Sequence, residues 1–125
     1  MSQNQTATHQ VGRVHHLLLE TNDLDASLNF YIGVLGLTVR KDEIFRDGRR
    51  IVVTSQGLGL KEGANSSNGR LEHLCFAAHG VDAIAERARE AGHTIVRGPG
   101  PGPYGHTVYI RDPDGLEVEL FEETD

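Results

Sequence analysis

The chain has 125 residues, 38% of them hydrophobic and 24% charged, with a net charge of −6, which suits one domain built on a single core rather than two independent ones. It holds no apolar run of the roughly 18 residues a membrane span needs and no basic cluster for nucleic acid. Cys75 is the one cysteine, so no internal disulfide forms and a reducing, cytoplasmic setting is expected. A small molecule is the partner these exclusions leave.

Residues 1–12 are polar, lack the basic stretch and apolar core of a signal peptide, and read as a flexible tail; one domain is expected over 13–124. Val14 to Glu20 alternates as a strand. From Leu24 the apolar residues Leu24, Leu28, Tyr31 and Leu35 follow helical spacing, with Asn22 or Asp23 as N-cap and Gly36 as terminator. Strands over Leu37 to Phe45 and Arg49 to Thr54 flank the hairpin dipeptide Asp47-Gly48, and another covers Leu58 to Glu62. The polar stretch over 64–69 reads as a linker between a first module (13–63) and a second (70–124). In the second, Leu71 to Ala77 is a strand, and Val81, Ile84, Ala85 and Ala88 are the buried stripe of a helix stopped at Gly92. Strands over Thr94 to Arg97, Thr107 to Arg111 and Leu116 to Phe121 follow, the last pair turned by Asp112-Pro113-Asp114-Gly115. The glycine- and proline-rich stretch from Gly98 to Gly105 is expected as a loop on a pocket rim.

The two halves repeat one another. His16-Leu17 is followed after nine residues by Asp25-Ala26 and then by Leu35-Gly36; His73-Leu74, 57 residues further on, is followed after nine by Asp82-Ala83 and, one residue early, by Ala91-Gly92. Each half reads as βαβββ, an α+β plan. Strand alternation puts His16, Leu18 and Glu20 on one face, His73, Cys75 and Ala77 on its equivalent, and Glu117, Glu119 and Phe121 together on the closing strand. Two imidazoles at matched positions and a carboxylate suit a divalent transition metal with open coordination positions. A lone strand histidine is usually structural or solvated, so the weight lies on the pairing of His16 with His73. His15, on the opposite face, is the second choice. Cys75, on the face of His73, is a candidate to line the pocket, with packing the commoner role of a lone cysteine, and Glu122-Glu123 is expected to be a solvated terminus.

Three segments carry a family resemblance: His16 to Gly36, Glu72 to Phe76, and Tyr109 to Leu120. Through them the chain, from Val14 to Glu122, resembles the vicinal oxygen chelate superfamily, which includes glyoxalases, extradiol dioxygenases and drug-resistance proteins. The resemblance implies tandem βαβββ modules curling into a mixed-sheet cleft around one divalent metal per site, with His16, His73 and Glu119 as ligands, and a homodimer. Glyoxalase I usually adds a Glu or Gln from the last strand of the first module; aligning Leu58 and Leu60 with Val118 and Leu120 puts Gly59 there. The remaining three-ligand set resembles the Fe(II) site of extradiol dioxygenases, whose active-site tyrosine precedes the glutamate ligand as Tyr109 precedes Glu119 by ten residues. Their acid/base histidine has no counterpart near Leu58, and His106, beside the glycine-rich stretch, is the substitute candidate. The leading expectation is an Fe(II) or Mn(II) dioxygenase acting on a small aromatic vicinal diol. The alternatives are a glyoxalase-like lyase or isomerase, or a fosfomycin-resistance-like transferase, with Zn, Ni or Co as Lewis acid, and a bleomycin-resistance-type binding protein.

Overall fold

The computed structural model describes residues 10, 13–63, 71, 73–103 and 105–123; the linker expected over 64–69 and nearly all of the tail expected over 1–12 lie outside them. The first module runs β1 (Leu17–Thr21), α1 (Leu24–Leu28) continued by a π-helical segment (Asn29–Val34), β2 (Val39–Ile44), β3 (Arg50–Thr54) and β4 (Leu58–Glu62). The second runs β5 (His73–Ala77), α2 (Val81–Glu90), β6 (Ile95–Pro101), β7 (Gly105–Arg111) and β8 (Glu117–Glu123). Each forms a four-stranded sheet, ordered β1-β4-β3-β2 and β5-β8-β7-β6. In each the first strand pairs parallel with the last and the other pairs are antiparallel. The expected α+β plan of two tandem βαβββ modules is the observed one.

Alternation decides what each sheet buries. Val52, Leu58 and Leu60 from the first sheet and Val108, Ile110, Val118 and Leu120 from the second turn toward the helices, where Phe30, Tyr31, Val34, Val81, Ile84, Ala85 and Ala88 complete one continuous core. Full burial of such a side chain is worth roughly 1.5–3 kcal/mol. The opposite face of each sheet is left for other work.

The helix expected to run regularly from Leu24 to Leu35 changes pitch. Asp23 caps its start, its carboxylate accepting from the Ala26 N–H at 3.1 Å. Beyond Leu28 the turn widens, and the Leu35 N–H donates five residues back, to the Phe30 carbonyl, at 3.0 Å. A π turn houses one extra residue within an otherwise α-helical span, and the first repeat is one residue longer than the second at this point. Gly36 then leaves the helix at φ 83°, as Gly92 does at φ 89°.

Three other expectations are corrected. β6 continues through Gly98 to Pro101, into the expected loop; it is an edge strand with register irregularities around Arg97, where a proline removes no needed donor. β1 begins at Leu17, leaving His16 just outside it. Glu122 is not merely solvated. Gly80, at φ 71°, gives α2 no side-chain cap, and the Glu122 carboxylate supplies one, accepting from the N–H groups of Gly80 (2.6 Å) and Val81 (3.1 Å).

The modules are also clasped by polar contacts. The buried Tyr31 hydroxyl donates to Asp112 at 2.7 Å, and the other Asp112 oxygen accepts from the N–H groups of Asp114 (2.9 Å) and Leu116 (2.8 Å). Asp114 in turn accepts from the Thr21 hydroxyl at 2.6 Å and the Asn22 side chain at 2.8 Å. The β7–β8 turn is thereby tied to the start of the first helix, and β8 is fixed behind it. Among the described residues no helix is long and apolar enough to cross a membrane.

Candidate metal centre

β5 and β8 pair in parallel with His73 opposite Glu117 and Cys75 opposite Glu119, so these four side chains share the face turned away from the core. His73 Nε2 lies 3.5 Å from Glu119 Oε1. Two donor atoms about 2.0–2.2 Å from one cation sit roughly 3.0–3.5 Å apart, and the separation is of that size. Glu119 is buried, 4% exposed, and a buried carboxylate needs compensating partners. The Thr107 hydroxyl is one, donating to Oε2 at 2.8 Å.

Tyr109 pairs directly opposite Glu119 across β7 and β8, and its ring centroid lies 6.1 Å from that of His73. Burial, aided by the Glu119 carboxylate and opposed by Arg97, holds its hydroxyl above the usual tyrosine pKa. The Arg97 guanidinium stacks over the ring at 3.9 Å and donates to Glu117 at 3.2 Å. Cys75 is exposed on this face; desolvation, then the Glu119 charge, pushes its thiol up to about 11, so it is protonated at neutral pH. A cavity of about 290 Å³ opens beside the group, walled by Arg97, Thr107 and Tyr109 and by the Gly98–Pro103 stretch. The glycine- and proline-rich segment is the expected rim, although part of it is strand.

The structure thus brings His73, Glu119 and Tyr109 together. It does not bring His16 to them. His16 is exposed, its Nδ1 3.0 Å from Nδ1 of His15, and both histidines line a separate cavity of about 170 Å³ with Gln56, Gly57 and the stretch Leu74–Phe76. Among the described residues no three His, Cys, Asp or Glu side chains of one chain are gathered closely enough to hold a metal. His106 faces the other way: its Nε2 lies 2.7 Å from Asp82 at the start of α2, on the core side of β7 with Val108 and Ile110. That contact raises its pKa. It also keeps His106 away from Glu119, which corrects its expected place in the cleft.

Sequence reasoning missed Thr107 and Arg97. Thr107 was within reach of the alternation argument, two residues before Tyr109 on the same face. Arg97 lay beyond it, since an edge-strand arginine carries no signal of the ring it will cover.

Gly59 occupies the expected position. It pairs with Leu18 as Glu119 pairs with Cys75, and a Cβ there would come within 2.9 Å of Leu18 Cδ1. The first sheet therefore offers no carboxylate where the second offers Glu119. Two tandem βαβββ sheets, each with its first strand paired parallel to its last, define a paired-module α+β fold class. More specifically, the chain belongs to the Glyoxalase/Bleomycin resistance protein/Dioxygenase superfamily, whose family model matches residues 13–120. A divalent metal is the group that this family generally uses, and the nitrogen and oxygen donors of His73 and Glu119 fit one.

Among its relatives, a probable lactoylglutathione lyase of Synechocystis is 28% identical over 124 residues, covering 86% of this chain and 92% of that protein. A virulence protein of Salmonella typhimurium is 30% identical over 123 residues, covering 90% and 85%. The fold is shared with TnmS3, an antibiotic binding protein from a Streptomyces species, at a TM-score of 0.74 and 23% identity, covering 93% of this chain and all of that one.

Proposed function

We propose that the protein is a divalent-metal enzyme of the Lewis-acid branch of its family, a glyoxalase-like lyase or isomerase acting on a small molecule with two neighbouring oxygens. The observation that carries this is the His73 Nε2 to Glu119 Oε1 spacing of 3.5 Å on an open sheet face. The third ligand is His16 of a second chain, because within one chain no third donor among the described residues joins the pair. A two-fold homodimer follows, and it gives cover to the outer strand β1, where Leu17 is 42% and Leu18 47% exposed. The lyase names of relatives such as the Synechocystis protein favour this branch over ring cleavage with oxygen. With Gly59 in place of a fourth ligand, the set differs from that usual in glyoxalase I.

A bound metal would polarise the substrate oxygens and ease proton loss from the adjoining carbon. The chain's own residues supply the rest. Tyr109, held protonated by its surroundings, donates from its hydroxyl to a substrate oxygen. Arg97 holds the tyrosine ring by stacking, and the Gly98–Pro103 wall limits water in the cavity.

The test is turnover of a thiohemiacetal of methylglyoxal, measured with and without oxygen on protein loaded with Zn, Ni, Co or Mn. Equal turnover without oxygen is expected. A second reading, the extradiol dioxygenase with Fe(II), is supported by the three-ligand set and by Tyr109 opposite Glu119. Oxygen uptake on a catechol by the Fe(II) protein, with no turnover of the thiohemiacetal, would replace the first reading with the second.

A further inference from the structure

We propose that Thr107 is a positioning residue that commits Glu119 to binding metal through one oxygen, Oε1, by holding Oε2 in a hydrogen bond. The inference rests on the metal reading above and concerns how the carboxylate is presented.

The Thr107 hydroxyl has two acceptors within reach, Glu119 Oε2 at 2.8 Å and the Leu120 carbonyl at 3.1 Å. A hydroxyl has one proton to give. The shorter contact is to the carboxylate, and hydrogen bonds to charged acceptors are the stronger, so the proton goes to Oε2. The other oxygen, Oε1, is then the one facing His73 at 3.5 Å. A carboxylate free to rotate can bring both oxygens to a cation; one whose Oε2 is bonded in a buried setting keeps a single oxygen forward and leaves one more coordination position for substrate.

The rotamer that does this is locked from behind. Thr107 is buried, 7% exposed, and its β-branched side chain has few χ1 options. A Cβ placed on Gly102 would lie 2.6 Å from the Thr107 methyl, so the missing side chain of Gly102 is what leaves room for that methyl. The glycine-rich wall and the metal carboxylate are therefore joined through one threonine: Gly102 admits the methyl, the methyl sets the hydroxyl, and the hydroxyl sets Glu119. Support of this kind around a metal ligand is worth about 10–100-fold in metal affinity.

The experiment measures Co(II) affinity, the visible Co(II) spectrum and melting temperature for the wild-type protein and for Thr107→Val, Thr107→Ser, Gly102→Ala and Glu119→Gln. Thr107→Val is expected to bind about 10–100-fold more weakly, with fainter visible bands because a second carboxylate oxygen raises the coordination number. Thr107→Ser, which keeps the hydroxyl, should recover most of the affinity and the spectrum. Gly102→Ala should shift both in the direction of Thr107→Val, and the double variant should lose little more than the worse single one. Wild-type affinity and spectrum in Thr107→Val, alongside loss of metal in Glu119→Gln, would overturn the role of Thr107 and leave the metal site standing. Weaker binding with an unchanged spectrum and no recovery in Thr107→Ser would also overturn it, as packing alone. Wild-type affinity in Glu119→Gln would remove the site itself.

Discussion

The two modules share a strand order and a register but put their outer faces to different uses. In the second, that face gathers polar groups: His73, Cys75, Thr107, Tyr109 and Glu119 surround an opening. In the first, the same face carries no such polar cluster at the matching positions. Leu18 lies over Gly59, and Lys61, 8% exposed, is held by Asp47 at 2.8 Å and covered by the Phe45 ring at 4.4 Å. A buried ammonium so paired is structural, and the same contact holds the Asp47 carboxyl well below its usual pKa. The repeat therefore duplicates the scaffold without duplicating the chemistry. One module supplies the carboxylate, its partner groups and a histidine, while the other supplies a wall and a histidine at its edge.

The division can be broken most severely at Tyr109. Tyr109→Phe is expected to lower turnover by roughly 10²-fold, as loss of a positioned proton donor does, while metal content holds and stability changes by no more than about 1 kcal/mol. Turnover, metal content and melting temperature measured on one preparation check this, and an unaltered turnover number would return Tyr109 to the packing of the cleft.

The clasp between modules comes next. Tyr31→Phe removes the donor from the buried Asp112 and should cost about 1–3 kcal/mol by chemical denaturation. Buried Asp112 already has a raised pKa, with desolvation its main cause.

Gly59→Ala sharpens the contrast from the quiet side. Its Cβ meets the tip of a flexible leucine at 2.9 Å, an overpacking worth about 1 kcal/mol, with no change in metal content. A fall in metal content would mean that the first sheet does hold part of the site.

The smallest effect concerns His106 and Asp82. The hydrogen bond to Asp82 raises the folded pKa of His106, so the charged form is favoured in the folded protein. Its stabilisation is complete below the ordinary histidine value of about 6.5 and is lost as pH rises through the folded value. Melting temperature followed from pH 5.5 to 8.5 should therefore fall slightly more in the wild-type protein than in His106→Gln, with turnover unaffected if His106 stands outside the chemistry.

Much of this was legible in the sequence because strand alternation and the repeat are local signals. Leu58 and Leu60, set against Val118 and Leu120, matched Gly59 to Glu119, and the strand pairing puts the two at equivalent places, Gly59 opposite Leu18 and Glu119 opposite Cys75. For His106 the expectation of a place in the cleft rested on its position beside the glycine-rich stretch, although β7 alternation sets it with Val108 and Ile110 rather than with Tyr109; the Asp82 contact, 24 residues away in sequence, was invisible. The π turn was visible only as a one-residue mismatch between Leu35-Gly36 and Ala91-Gly92, since periodicity counts residues and not their pitch. The place of His16 was not legible at all. Matching it to His73 by position in the repeat says which strand end it occupies, not which sheet of which chain faces it.

Completion of the His73–Glu119 pair by His16 of another chain can be checked by mixing two metal-free variants. His16→Ala and His73→Ala, each refolded alone, should bind almost no Co(II). Refolded together at equal amounts, random pairing makes half the dimers mixed, and each mixed dimer keeps one intact site of two, so about a quarter of the wild-type Co(II) binding should return. No return on mixing would contradict completion between chains, and full binding by either variant alone would contradict the site.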